Sequence, residues 1–312
     1  MLRRLVAIVG ATGTGKSAAA LQLAQRLGGE IVNADSRQVY RGMDIGTAKP
    51  TPAERRLVRH HLYDIRDPRE GYSLAEYRAD ARAAFEAIWA RGSFPWLVGG
   101  TPQYAWAILE NWQVPAVPPD PGLREALQAF ADAEGPAALH ARLAAVDPAS
   151  AARIDPRNVR RVIRALEVYE KTGRPISAWQ QKGAPDFEYL LFAIDVPRQE
   201  LYRRVDERVE RMFAAGLVDE VRALLDAGVP PDAPAMSSIG YAETVAFLQG
   251  KLTLADAIER TKRATHRLVR SQEQWFRRDD PRITWVRDAD DIDLQANIFT
   301  GVCTNVIRGE RR

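Results

Sequence analysis

The feature that most restricts this chain is the run Gly10-Ala11-Thr12-Gly13-Thr14-Gly15-Lys16-Ser17 near its start. It fits the pattern G-x-x-x-x-G-K-[ST], and its surroundings fit as well. Leu5 to Val9 is a short β-rich apolar run, as expected of a strand buried on both faces of a parallel sheet. Ser17 to Leu27 carries Ala20, Leu21, Ala24 and Leu27 at helical spacing. A strand, a glycine-rich turn and a helix in that order make a phosphate cradle. The glycines let successive N–H groups turn inward, and the helix N-terminus adds the positive end of its dipole. Lys16 supplies a fixed charge, and the Ser17 hydroxyl suits Mg²⁺. Gly10 to Ser17 are therefore expected to grip a di- or triphosphate. The reaction stays open, because kinases, NTPases and some transferases share this loop.

The remaining pattern points to a doubly wound, mostly parallel α/β core of the P-loop type. Glu30 to Ala34, Trp96 to Gly99, Tyr189 to Val196 and Arg282 to Val286 read as further short strands. Helical stretches lie between them: Ser73 to about Arg91, opening with a capping box, then Pro102 to Glu110, Arg198 to Ala227 and Leu254 to Arg277. Val114 to Gly122 holds four prolines and marks a candidate boundary. From 120 to 185 the sequence reads as helical without a strand. The expected division is a core of residues 1–119 and 186–312 with a helical insertion domain at 120–185. Asp35 to Pro50 has no clean period and should be a loop; long irregular segments beside a phosphate site are usually functional.

Three groups of polar residues stand out. Asp35 follows the second strand, and in open parallel sheets the ligand crevice lies outside the strands' carboxyl ends. It can serve as a general base, hold Mg²⁺ through water, or simply cap a turn. Thr101 follows the third strand; its hydroxyl can orient a reacting group or cap the next helix. Arg204, Arg208 and Arg211 are spaced to share a helical face that could close over a diphosphate. A solvated charged helix is the alternative.

Net charge is only +3, so the placement of charge matters more than its total. Arg153 to Lys182 holds eight basic residues against three acids, with Arg160, Arg161 and Arg164 in one helical turn. Arg260 to Arg278 holds seven against one, with Arg260, Arg263, Arg267 and Arg270 as a stripe. Two such faces beside a phosphate site favour RNA as a partner. The lone cysteine, Cys303, can make neither an internal disulfide nor a thiolate-rich zinc site. It is expected to be a small buried residue in a reducing compartment. The N-terminal apolar run is too short for a signal peptide, and no stretch reaches the length of a membrane span. A cytoplasmic monomer is expected.

The segments GATGTGKS, NADSRQVYRGMDIGTAKP, LVGGTPQY, RVIRALEVYEKTGRP and SIGYAE resemble, in that order, the bacterial tRNA dimethylallyltransferases, also called tRNA isopentenyltransferases. The resemblance implies transfer of a dimethylallyl group from dimethylallyl diphosphate to N6 of an adenine beside the tRNA anticodon. It also implies Mg²⁺, a P-loop that holds the donor diphosphate, and an insertion domain that grips the anticodon stem-loop. By resemblance Asp35 is the general base, Thr101 the active-site threonine, and Arg204 or Arg208 a diphosphate ligand. The implied tRNA contacts are Asp35, Ser36, Arg37, Gln38, Thr101, Arg124, Arg160, Arg161, Val162, Ile163, Arg164, Ser237, Ser238, Ile239, Gly240, Tyr241 and Ala242. Ala242 stands where relatives can carry a basic residue, which weakens that one contact. Rival functions are an adenylate isopentenyltransferase acting on free adenine nucleotides, a small-molecule P-loop kinase, and a non-catalytic RNA-binding module.

Overall fold

Leu5, Val6, Ala7, Ile8 and Val9 are all fully buried. A strand with no exposed residue must sit in the interior of a sheet covered on both faces. In the computed structural model, which describes residues 3–179 and 181–301, that strand is β1 (Arg4–Val9). Its neighbours on either side are β4 (Pro95–Gly99) and β5 (Glu188–Ile194), both parallel to it. With β2 (Glu30–Asn33), β3 (His60–His61) and β6 (Thr284–Val286) they form a six-stranded parallel sheet of order β3-β2-β4-β1-β5-β6. The chain leaves β1 toward β2 on one side and returns to β5 on the other. That reversal beside β1 is the topological switch point where such sheets bind ligands.

Helix α1 (Lys16–Leu27) packs Ala19, Ala20, Leu23, Ala24 and Leu27 against Val6, Ile8, Ile31, Trp96 and Val98. The connections that follow hold α2 (Pro52–Leu57), α3 (Leu74–Ala90) and α4 (Pro102–Leu109). After β5 come α9 (Arg198–Ala214), α10 (Leu217–Asp226), α11 (Tyr241–Leu248), α12 (Leu254–Glu273) and α13 (Ala289–Thr300). Of these elements α2, β3, α11 and α13 have no counterpart in the sequence reading. The first two span only six and two residues, too short for periodicity to register. Cys303 lies outside the described residues.

The segment from Asp35 to Pro50 is irregular as expected, but it is not merely a polar loop. Val39, Tyr40 and Met43 are buried in a second core with Leu217, Val221, Met236, Tyr241 and Val245. Lys49 is buried too, where its ammonium meets the Tyr40 carbonyl, Asp44 Oδ1 at 2.7 Å and Asp64 Oδ1 at 2.5 Å. The Glu220 carboxylate accepts the amides of Asp44 (2.9 Å), Ile45 (2.8 Å) and Gly46 (3.3 Å). These anchors hold a stretch without regular structure in one conformation.

A separate compact unit comprises Glu110–Pro185 together with Leu74–Glu76. It holds α5 (Pro121–Glu134), α6 (Pro136–Val146), α7 (Pro148–Ala151) and α8 (Val159–Thr172) around a core of Leu127, Leu139, Leu143, Val162, Ile163 and Leu166. At its centre the fully buried Glu167 takes two bonds from Arg124, both 2.8 Å. Further bonds come from Arg164 at 2.5 Å and the Asp120 amide at 2.8 Å. Burial opposes ionisation of Glu167, but these donors outweigh it and hold the carboxyl down at about 2. Removing the carboxylate would leave the Asp120 amide and the part-exposed Arg124 and Arg164 without their shared acceptor, so Glu167→Ala is expected to destabilise this unit by about 1–3 kcal/mol in chemical denaturation. Because the folded pKa is depressed, the stabilisation is present above the unfolded glutamate value and is lost as pH falls toward about 2.

Candidate active site

The site is built where β1, β4 and β2 end side by side. Residues 10–15 turn around the space beyond β1, and one close approach and one backbone conformation explain two of their glycines. A Cβ on Gly13 would lie 2.6 Å from Val205 Cγ1, and Gly13 has φ +85°. Gly15 sits at φ +91° as the residue before α1, a left-handed conformation costly for any side chain. Thr14 Oγ1 donates to the Ala11 carbonyl at 3.0 Å and braces the loop from inside. Lys16 is buried, with Nζ donating to Ala11 O at 3.1 Å. Burial pushes its ammonium down to about 8, against the pull of the Asp35 carboxylate and with a smaller push from Arg208. Ser17 is exposed at the first turn of α1.

β2 delivers Asp35. The buried Asn33 fixes the turn, accepting the Asp35 amide at 2.8 Å and donating to the carbonyls of Asp35 (2.9 Å) and Leu62 (3.0 Å). The Asp35 carboxylate accepts the Arg37 amide through Oδ1 at 2.9 Å. β4 delivers Thr101. A Cβ on Gly99 would fall 2.1 Å from the Ala34 carbonyl, so only glycine lets the two strand ends meet. The Thr101 amide then bonds Ala34 O at 3.0 Å. Thr101 Oγ1 accepts the Ser36 amide at 2.9 Å and lies 3.2 Å from Ser36 Oγ.

The arginines on α9 separate. Arg208 reaches the P-loop, donating to Thr12 Oγ1 at 3.3 Å and to Thr47 O at 3.4 Å. Burial lowers its pKa while Asp35 raises it; a guanidinium remains charged through such a shift. Arg204 instead bonds Glu200 at 2.8 Å on an exposed face, and Arg211 is also exposed beside Glu207. The expected shared arginine face is thereby corrected: α9 turns one arginine, Arg208, to the loop. The Asp35 carboxylate is close enough to both Lys16 and Arg208 to favour their charged forms against the effect of burial.

The residues expected to meet RNA divide by exposure. Arg37, partly exposed, donates to Pro234 O at 3.2 Å and so ties residues 35–38 to the segment bearing Ser237. Ser237 and Ala242 are exposed, and Ile239 is half-buried. Gln38 is buried and holds the carbonyls of Thr47 (3.0 Å) and Ala48 (3.1 Å). Ser238 is buried and donates to Ala235 O, Gly240 is buried, and Tyr241 is fully buried with its hydroxyl on Glu220 at 2.5 Å. Val162 and Ile163 face the core of the helical unit. Packing turns the side chains of Gln38, Ser238, Tyr241, Val162 and Ile163 inward, away from solvent. Arg124 and Arg164 are committed to Glu167, whereas Arg160 and Arg161 are exposed.

One site residue escaped the sequence reading. Gln272 on α12 is buried, its Oε1 accepting the Thr12 amide at 2.9 Å and its Nε2 donating to Gly100 O at 2.6 Å. The signal was present: Gln272 falls in the inward phase of α12, in line with Ala257, Thr261, Ala264, Thr265 and Val269. A glutamine on an inward helical face demands partners.

The family model described as IPP transferase matches residues 38–279. A tRNA dimethylallyltransferase of Thermomicrobium roseum is 56% identical over 274 residues, covering 88% of this chain and 83% of the relative. One from a Roseiflexus species is 53% identical over 292 residues, covering 94% and 96%. Among solved structures, the full-length tRNA isopentenylpyrophosphate transferase of Bacillus halodurans is 39% identical, with TM-score 0.69 and 96% of each chain covered. A eukaryotic dimethylallyltransferase acting on tRNA superposes with TM-score 0.78 at 29% identity, covering 96% of this chain and 77% of that one. With more than half its length matched by the family model and relatives above half identity, the chain belongs to the IPP transferase family.

Proposed function

We propose that the protein is a tRNA dimethylallyltransferase, moving the dimethylallyl group of dimethylallyl diphosphate onto N6 of the adenosine 3′ to the anticodon. The observation that carries this reading is the placing of a carboxylate, Asp35, and a phosphate loop at the same edge of the sheet, on the ends of β2 and β1 with only β4 between them. A kinase acceptor pocket would not call for the anchored 35–50 segment between them.

The exocyclic amine is a weak nucleophile because its lone pair is delocalised into the ring. Its attack on the allylic carbon forms the C–N bond as the C–O bond breaks, and the electron pair leaves with the diphosphate. Asp35 takes the amine proton. One carboxylate oxygen is occupied by the Arg37 amide, which fixes the group's direction. Thr101, bonded to Ser36, offers its hydroxyl beside the acceptor. The P-loop amides, Lys16 and Arg208 stabilise the charge gathering on the diphosphate. The Ser17 hydroxyl is exposed and hydrogen-bonds to none of the described residues, so it is the group that would hold Mg²⁺ here. Such an ion would supply further charge neutralisation to the leaving group.

An adenine stacked in a loop must be splayed out to reach this crevice. Arg160 and Arg161 on the helical unit, and the exposed stripe Arg260, Arg263, Arg267 and Arg270 on α12, are suited to the RNA backbone. Affinity for tRNA should therefore fall steeply with salt.

The test is incubation of labelled dimethylallyl diphosphate and Mg²⁺ with unmodified tRNA, AMP or ATP. Label in tRNA alone is expected; label in a free nucleotide would indicate an adenylate enzyme, and none in any acceptor would overturn the transferase reading. Asp35→Ala is expected to abolish transfer while filter binding of tRNA stays largely intact; wild-type turnover would remove Asp35 as the base. Arg208→Ala should lower kcat/KM for the donor by about 10²–10³-fold. Arg204→Ala, which trims a surface ion pair, should change it by less than about threefold.

A further inference from the structure

The Gln272 side chain closes one end of the phosphate loop. Its amide lies between the Thr12 N–H and the Gly100 carbonyl, at 2.9 and 2.6 Å. Thr12 can only donate and Gly100 O can only accept, so the orientation of the amide is fixed by its partners. A Cβ on Gly100 would lie 2.6 Å from Gln272 Nε2 and 3.4 Å from Lys16 Nζ, so the amide and the ammonium flank the same small volume. Gln272 is only 5% exposed, held by a twenty-residue helix, and cannot swing aside without breaking both bonds.

In a P-loop the amides nearest the helix cradle the first phosphates, and the lysine reaches toward the terminal one. A phosphate beyond the Lys16 head would need fresh donors. Here the next donor, the Thr12 amide, is already taken. At that end Gln272 Oε1 and Gly100 O are acceptors that repel phosphate oxygens, and the Arg208 guanidinium is already engaged by Thr12 Oγ1 and Thr47 O.

We propose that Gln272 is a specificity-determining residue that limits this loop to a diphosphate and turns away a longer polyphosphate chain. The proposal rests on the reading of the loop as the donor-diphosphate site and explains how a loop of nucleotide-binding type can serve a shorter ligand. A buried hydrogen-bonding group mismatched to its ligand discriminates strongly, because the unpaired polar atoms stay desolvated.

The experiment is calorimetric titration of pyrophosphate and tripolyphosphate, each with Mg²⁺, into the full chain and into Q272A and Q272E. The intact protein is expected to prefer pyrophosphate by about tenfold or more. In Q272A, which frees the Thr12 amide and opens the end, that ratio should drop about tenfold. Q272E keeps the acceptor for Thr12, loses the bond to Gly100 and adds charge. It should weaken both ligands, tripolyphosphate more, and it decides the matter if Q272A does not fold. Equal affinity of the intact protein for both ligands, or an unchanged ratio in the folded variants, overturns the proposal. Loss of all pyrophosphate binding in the intact protein overturns the donor-site reading along with it. No RNA is present, so the outcome is independent of whether the acceptor is tRNA.

Discussion

The site depends on a place where a side chain has no room. Gly99 at the end of β4 and Ala34 at the end of β2 approach so closely that a Cβ on Gly99 would overlap the Ala34 carbonyl at 2.1 Å. That contact lets the Thr101 amide bond Ala34 O and lets the Thr101 hydroxyl take the Ser36 amide. Two loops from neighbouring strands are locked together, and β1 sets the P-loop beside them through its parallel pairing with β4. Asp35, Thr101 and the glycine-rich loop thus share one crevice because three backbones converge.

Convergence needs a rigid frame around a segment without regular structure. Residues 35–50 are held by apolar side chains below, by the buried Lys49 between Asp44 and Asp64, and by Glu220 across three amides. Glu220 also receives the Tyr241 hydroxyl, and the Tyr241 ring lies against Gly46, where a Cβ would come within 2.4 Å. The segment at 237–242 therefore supports the 35–50 loop from behind while exposing Ser237 and Ala242. Arg208 bridges the two sides by touching both Thr12 and Thr47. Preorganisation of this sort spares the reaction the cost of ordering its own catalytic groups.

Much of this was legible in the sequence because it follows from local rules. The apolar run before Gly10 announced an interior strand, and strand ends announced Asp35 and Thr101. The parallel sheet and the strand-free helical stretch followed from period and length. What stayed hidden depends on long-range contact. Spacing alone put Arg204, Arg208 and Arg211 on one face, yet only packing reveals that Arg208 points inward while Arg204 is held by Glu200. Motif matching named Val162, Ile163 and Tyr241 beside true surface residues, since a recognisable run mixes scaffold with contact. The 35–50 stretch looked polar because its few apolar residues follow no regular period. Gln272 lies 260 positions from the loop it closes, and no local pattern reaches that far.

The central claim is that the crevice at the three strand ends holds a prenyl diphosphate with its reactive carbon turned toward Asp35 and Thr101. The most direct measurement is a crystal structure of the protein with a non-reactive thio analogue of dimethylallyl diphosphate and Mg²⁺. The account predicts the diphosphate within hydrogen-bonding distance of the P-loop amides, Lys16 and Arg208, with the first allylic carbon facing Asp35. A diphosphate bound away from the loop, or an allylic chain directed away from the Asp35 side, would contradict it.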